Sequence, residues 1–269
     1  MAIQTKRMFA VVTGASSGIG LELARACLEH DFDVLVCSEQ AGIHSVPERL
    51  MSDTNAHGNV VSVCADLSTY AGVEELYAAI GAHHRPVDAL LLNAGTGLGG
   101  EFATTDLSVE LRMIALNCMH TVHLAKRVVP DMLARGEGRI MITGSVVSTA
   151  PNPYQAVYAA TKAFVMSFGE ALRYELREGG VTVTVLQPGA TETQFFERAE
   201  LMDTEIGQAD KDDPALVARN GFKAMMDGKD SVLGGGFKSK VEGLMNEILP
   251  ETMKAAQVGK ATKPGSAKH

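Results

Sequence analysis

The chain has 269 residues, a formal charge of −8, a hydrophobic fraction of 46% and a charged fraction of 21%. That length leaves ample chain to bury a core, and the composition excludes a disordered acidic polymer. The net acidity argues against nucleic acid as a partner, since neutralising phosphates needs a basic face; no uncharged apolar run reaches the roughly 18 residues of a membrane span.

Six short apolar runs follow one another along the chain: MFAVVTG, FDVLVCS, VVSVCADL, ALLLNAG, RIMITGS and VTVTVLQPG. Most are rich in β-branched residues and each closes on a turn signal, which suits strands buried on both faces of a parallel sheet. Between them, helical periodicity runs over 19–30, 73–83, 107–135 and 154–177. Strand and helix in alternation imply right-handed βαβ units and an α/β, doubly wound parallel sheet. No linker interrupts the runs, so a single domain is expected over 1–256.

After Gly189 the pattern loosens. Residues 190–215 mix Thr, Phe, Met and acids and read as a helical substrate flap. Over 240–256 the apolar positions Val241, Leu244, Met245, Ile248 and Leu249 form one helical stripe. The polar face of that stripe lacks the dense Lys and Arg that an anionic membrane would require. The Lys-, Gly- and Ala-rich segment 257–269 reads as a disordered tail.

Cys27, Cys37, Cys64 and Cys118 are widely spaced and form no CxxC pair, so neither a zinc cage nor a disulfide framework is expected. His120 and His123 lie three apart without an evident third ligand, so no metal site is expected. The start, MAIQTKRMFA, carries no cleavage signature of a secretory signal. A cytoplasmic chain with reduced thiols is the expectation.

Thr13-Gly14-Ala15-Ser16-Ser17-Gly18-Ile19-Gly20 follows the first strand and opens a helix. Glycines at such a junction allow a sharp turn and let a pyrophosphate approach the helix N-terminus, where free amides and the helix dipole favour anions. The glycine spacing is G-x-x-x-G-x-G. Further on, Tyr158 and Lys162 stand four apart at the head of a long helix and so share one face. A free phenol, with a pKa of about 10, is a poor base at neutral pH; lowering it by about three units takes roughly 4 kcal/mol of differential stabilisation. A nearby ammonium would act in that direction. Ser145 ends the strand RIMITGS, and its hydroxyl can donate to an oxygen on which charge develops.

These elements, in this order, resemble the short-chain dehydrogenase/reductase family over about residues 8–200. Thr13 to Gly20 is similar to its TGxxxGxG element. The resemblance implies a Rossmann fold in which Gly14, Ser16, Ser17, Gly18, Ile19 and Gly20 contact a nicotinamide coenzyme. It further implies that Asp66 and Leu67 meet the adenine ring and that Asn93, Ala94 and Gly95 lie beside the adenosine ribose. Pro188, Gly189 and Thr193 resemble the element that holds the nicotinamide carboxamide, with the Thr191 backbone facing that amide. Tyr158 and Lys162, besides touching the coenzyme, complete a catalytic set with Ser145 and Asn117. In this set Tyr158 is the general acid or base, and Asn117 anchors a water that links the lysine to solvent. Pairing of the helices that carry Asn117 and Tyr158 in relatives implies a homodimer or homotetramer.

Taken singly, each residue has an ordinary alternative: a solvated Tyr/Lys pair, a serine cap, a core amide, a common turn. Together they imply an oxidoreductase acting on a C=O or CH–OH group of a small molecule. The acid or base after the second strand selects NAD or NADP. Here the strand ends in Ser38 and Glu39, with no Arg or Lys for a 2′-phosphate. Glu39 would accept from ribose hydroxyls and repel a phosphate, which leans the reading toward NAD. The substrate walls are expected at 96–99, 146–155 and 193–202; in the last, Phe195, Phe196, Leu201 and Met202 either give an apolar lining or form the flap's own small core. No cation sits in the first two walls, so the substrate expected is neutral and fairly apolar. The alternative is a dinucleotide sensor or scaffold without turnover.

Overall fold

The computed structural model describes residues 7–54, 56–235 and 251–267. Seven parallel strands form one sheet: β1 (Met8–Thr13), β2 (Phe32–Ser38), β3 (Val60–Cys64), β4 (Ala89–Leu92), β5 (Gly138–Thr143), β6 (Val181–Gln187) and β7 (Ser231–Leu233). Their spatial order is β3-β2-β1-β4-β5-β6-β7. The chain therefore winds outward from β1 in one direction, returns, and continues from β4 in the other. The crevice at the carboxyl ends of β1 and β4 is the switch point at which such sheets take ligands.

Alternation along the strands feeds both faces of the sheet. Ala10 and Val12 point to one side, where α1 (Gly18–Glu29), α2 (Val46–Asp53) and α9 (Pro214–Met226) pack through Leu23, Leu50 and Phe222. Phe9 and Val11 point to the other, where α3 (Tyr70–Gly81), α5 (His120–Arg135) and α6 (Ala156–Leu176) contribute Leu76, Leu124 and Val165. All of these apolar side chains are less than 5% exposed. Burial on both faces explains why the central strands read as continuous apolar runs rather than alternating ones.

The sequence shows 107–135 as one helix; the structure divides it. α4 (Leu107–Ile114) passes into a five-residue π-helical turn, Ala115–Met119, before α5 resumes. Such turns add a residue to the helical repeat and are frequent at functional sites. β7, α2 and α9 carried too little periodicity to be anticipated. The flap holds two one-turn helices, α7 (Phe195–Arg198) and α8 (Glu205–Gln208).

The tail differs from its reading. α10 covers Glu251–Thr262, and the residues after it bond to the flap. The Gly265 amide donates to Asp203 Oδ2 at 2.8 Å, and Ser266 Oγ accepts from the Glu205 amide at 2.9 Å. Thr262, fully buried, donates to the Pro153 carbonyl at 2.8 Å. A segment held by hydrogen bonds to distant parts of the chain leaves little trace in composition. The apolar stripe of Val241 to Leu249 lies outside the described residues. Among those described, no helix is long and apolar enough to cross a membrane.

Candidate active site

The crevice at the strand ends opens into a cleft whose floor is the glycine turn. Gly14 and Gly18 have φ of +68° and +57°, the left-handed region that favours glycine. A Cβ on Gly20 would collide with the Gly14 carbonyl oxygen, so α1 can start this close to the turn only with glycine there. Ser17, the N-cap of α1, makes no side-chain cap bond, whereas Thr69, Asp106 and Asp213 cap their helices. The first-turn amides of α1 are thus left to an external acceptor. A glycine cradle below an uncapped helix start fits the diphosphate of a dinucleotide.

Ser38 and Glu39 at the end of β2, and Asp66 and Leu67 after β3, line one end of the cleft. Ser38 Oγ donates to Ser16 Oγ at 3.2 Å, tying β2 to the glycine turn. Arg112 of α4 forms an ion pair with Glu39 and a second with Asp66, at 3.0 Å. The amide and hydroxyl of Ser68 also donate to Asp66, at 3.0 and 2.7 Å. Burial opposes the Asp66 carboxylate, but the Ser68 donors and Arg112 outweigh it and hold its pKa below the usual range.

At the other end, Tyr158 and Lys162 line the cleft on the first turns of α6, facing Ser145 at the end of β5. Both are almost fully buried. Burial pushes the Tyr158 phenol up to about 12, and a hydrogen bond with Ser145 works the other way. Burial pushes the Lys162 ammonium down to about 8. Its Nζ lies 5.8 Å from the Tyr158 ring centroid and donates to the Thr143 carbonyl at 2.9 Å. The lowered phenol pKa anticipated from the sequence is absent from the free protein, because burial there outweighs the favourable contacts.

Asn117 sits in the π turn, behind the cleft wall. Its Nδ2 donates to the Thr96 carbonyl and to Thr161 Oγ1, each at 2.9 Å, and its Oδ1 accepts from the Thr96 amide at 2.9 Å. A Cβ on Gly95 would lie 3.1 Å from Asn117 Oδ1 and 3.4 Å from Lys162 Nζ, so glycine there lets the asparagine and lysine share one spot. Neighbouring His120 is buried and its Nδ1–H donates to the Leu116 carbonyl at 3.0 Å. Desolvation lowers its pKa to about 4, leaving a neutral imidazole. His123 points elsewhere, pairing with Glu74 of α3 at 2.5 Å.

Pro188, Gly189, Thr191 and Thr193 form the third wall. The Val146 amide donates to the Pro188 carbonyl at 3.0 Å, and Thr191 Oγ1 to the Gly189 carbonyl at 3.0 Å. The flap splits its apolar residues between two jobs. Phe195 lies 5.2 Å from the Tyr158 ring and packs with Leu98 and Met113. Leu201 is buried with Ala199 and Phe196 in the flap's own small core, and Met202 is exposed.

Every residue singled out for coenzyme contact lines this one cleft, as does Ser145. Asn93 lines it too, but its side chain is spent on protein: Nδ2 donates to the Thr13 and Gly14 carbonyls, and Oδ1 accepts from Thr143 Oγ1. Gln40, Arg198 and Arg112 were not anticipated. Arg198 of the flap lines the cleft and places Nη2 3.5 Å from Gln40 Oε1. Cations that arrive from distant elements leave no local signal in the sequence.

A family model described as short chain dehydrogenase matches residues 8–203. Dehydrogenase/reductase SDR family member 7B of Danio rerio is 31% identical over 236 residues, covering 84% of this chain and 76% of the relative. An NADP-dependent 3-hydroxy acid dehydrogenase of Salmonella typhi is 35% identical over 185 residues, covering 68% of this chain and 72% of the relative. Among solved structures, a short-chain dehydrogenase from Sphingobium yanoikuyae in complex with NADPH matches in fold. Its TM-score is 0.75 at 24% identity, over 90% of this chain and 96% of that one.

Lys162 titrates lower when folded than the usual 10.5. Its buried ammonium therefore costs stability in full below about pH 8, less as the pH rises toward 10.5, and nothing above that. Lys162→Met is expected to stabilise the fold at neutral pH by on the order of 3 kcal/mol at most. In urea unfolding that advantage should shrink at alkaline pH. Equal or lower stability of the variant at neutral pH would contradict a lysine held under a burial penalty.

Proposed function

Since this chain belongs to the short-chain dehydrogenase/reductase family, an oxidoreductase family that works with a nicotinamide dinucleotide, we propose that it interconverts a neutral, fairly apolar ketone or aldehyde and its alcohol, with Tyr158 transferring the proton. The supporting observation is the convergence of Tyr158, Ser145 and Lys162 on the cleft that ends at the glycine turn. We assign the whole task to one catalytic unit, residues 1–256, with 190–215 as the substrate flap.

The bound nicotinamide would supply or accept the hydride at the substrate carbon. The glycine turn and the uncapped start of α1 would hold the diphosphate, while Thr191 and Thr193 would hold the nicotinamide end. In the reductive direction the Tyr158 hydroxyl donates its proton to the carbonyl oxygen. Ser145 Oγ accepts from the Val147 amide at 3.3 Å and its hydroxyl hydrogen-bonds Tyr158 in the free protein; a carbonyl oxygen arriving beside the two would take that proton. A phenol at about 12 suits the acid role; the reverse direction needs a further positive charge in the cleft, where low dielectric magnifies its effect. The Lys162 ammonium is present already in the free protein, so the further charge would come from the oxidised nicotinamide, and Asn117 fixes the surrounding backbone where a relaying water would sit. The apolar faces of Phe195, Leu98 and Val147 support a substrate without charge.

Glu39, available to ribose hydroxyls, supports NAD as the coenzyme. Four cysteines without disulfides suit a cytoplasmic setting. Leu107, Leu111 and Met119 on the segment around Asn117, with Phe164 on α6, are exposed apolar side chains. They support a homodimer or homotetramer, which a light-scattering mass equal to one chain would overturn.

Tyr158→Phe is expected to lower turnover about 10²- to 10⁴-fold on a carbonyl panel while coenzyme affinity stays unchanged. Turnover equal to the parent would remove Tyr158 from the chemistry. Coenzyme binding with no turnover by the parent on any substrate would instead favour a sensor.

A further inference from the structure

Glu39 follows β2 directly, and Asp66 lies just past β3, its hydrogen-bonded neighbour. Both line the same end of the cleft. Two carboxylates at adjacent strand ends repel each other, and Arg112 compensates both. From α4, Nη2 pairs with Glu39 Oε2 while Nη1 lies 3.0 Å from Asp66 Oδ2. The three side chains are between a third and a half exposed, at 48%, 49% and 36% for Arg112, Glu39 and Asp66. Pairs that wet add little to folding stability, so the chief consequence of this fork is orientation.

What the fork orients is visible from the atoms it leaves. Asp66 Oδ1 is taken by Ser68 and its Oδ2 by Arg112. Glu39 Oε2 is taken by Arg112, while its Oε1 has no hydrogen-bond partner among the described residues. An acid about twenty residues beyond a glycine turn is the group that accepts from the adenosine ribose in sheets of this kind. Glu39 stands at that distance from the turn. A ribose diol can donate to the free oxygen and leave the fork intact. A 2′-phosphate would meet that oxygen as a like charge, or would have to take Arg112 away from it.

We propose that Arg112 is a specificity-determining positioning residue for the coenzyme: it holds Glu39 with one oxygen presented to an unphosphorylated ribose, and so favours NAD over NADP. The proposal rests on the dinucleotide reading of the cleft. It gives a role to a residue outside the glycine turn and outside the β2 end, where selectivity is ordinarily sought.

The test is titration with NADH and with NADPH, followed by the fluorescence of the nicotinamide, for the parent, Arg112→Gln, Glu39→Gln and the double variant. The parent should bind NADH more tightly than NADPH. Arg112→Gln should weaken NADH about fivefold. Glu39→Gln should weaken NADH similarly and improve NADPH. In the Glu39→Gln background, removing Arg112 should cost NADH nothing further, because Arg112 acts through Glu39. Unchanged affinities in Arg112→Gln would overturn the proposal, as would equal losses from Arg112→Gln with and without Glu39. So would a loss confined to NADPH, which would make Arg112 a phosphate ligand, or a parent that prefers NADPH, which would turn attention to Arg198. Failure of the parent to bind either form would overturn the dinucleotide reading itself, a result distinct from all of these.

Discussion

A chain of hydrogen bonds across the carboxyl ends of three adjacent strands holds the site together. Thr13 at the end of β1 accepts on Oγ1 from the amides of Asn93 and Ala94, each at 3.0 Å. The Asn93 side chain returns to the Thr13 carbonyl at 3.1 Å and receives the Thr143 hydroxyl of β5 at 3.1 Å. The Thr143 carbonyl in turn accepts from Lys162 at 2.9 Å. Strands of a parallel sheet end in unpaired backbone groups, and here those groups are satisfied by a line of side chains running from the glycine turn to the lysine. A displaced link would shift the glycine turn, at one end of the cleft, relative to Lys162 at the other.

The consequence is a cleft whose most deeply buried polar groups are already committed in the free protein. Thr13 is fully buried and Asn117 and Lys162 nearly so, and partners on the chain satisfy each of them. Preorganisation of this kind is what electrostatic stabilisation of a developing charge requires, since little reorientation is left to do. Its cost falls on the two groups that must carry or release charge. Burial drives the phenol of Tyr158 up and the ammonium of Lys162 down, so each is held against its charged form. The π turn at Asn117 adds to this: it places an amide of the α4–α5 segment onto Thr96 and Thr161 at once.

Most of this was legible before any coordinates. The glycine turn, Asp66, the Asn93 segment, Ser145, Tyr158 and Lys162 are local patterns tied to strand ends, and the alternation of apolar runs fixes which ends come together. What escaped is non-local or weakly periodic. Arg112 reaches Glu39 across 73 residues, and Arg198 reaches Gln40 across 158. Periodicity cannot reveal the π turn, because one extra residue in a 29-residue helical pattern (107–135) scarcely shifts the apolar stripe. The segment 257–269 reads as disordered because Lys, Gly and Ala bury little, yet α10 runs on to Thr262 and hydrogen bonds to Asp203 and Glu205 hold the residues after it. Asn93 was recognised by position, but its side chain binds the chain rather than facing a ligand.

In the function proposed, the β1–β4 crevice would hold the diphosphate of a nicotinamide dinucleotide on the uncapped start of α1. The most direct measurement is binding of NADH to the intact protein by nicotinamide fluorescence, followed by competition with ADP-ribose, which carries the diphosphate without the nicotinamide. The chain has no tryptophan, so the protein background is low. Saturable binding in the micromolar range and full displacement by ADP-ribose are expected. No saturable signal up to millimolar NADH, or binding that ADP-ribose leaves untouched, would contradict that placement.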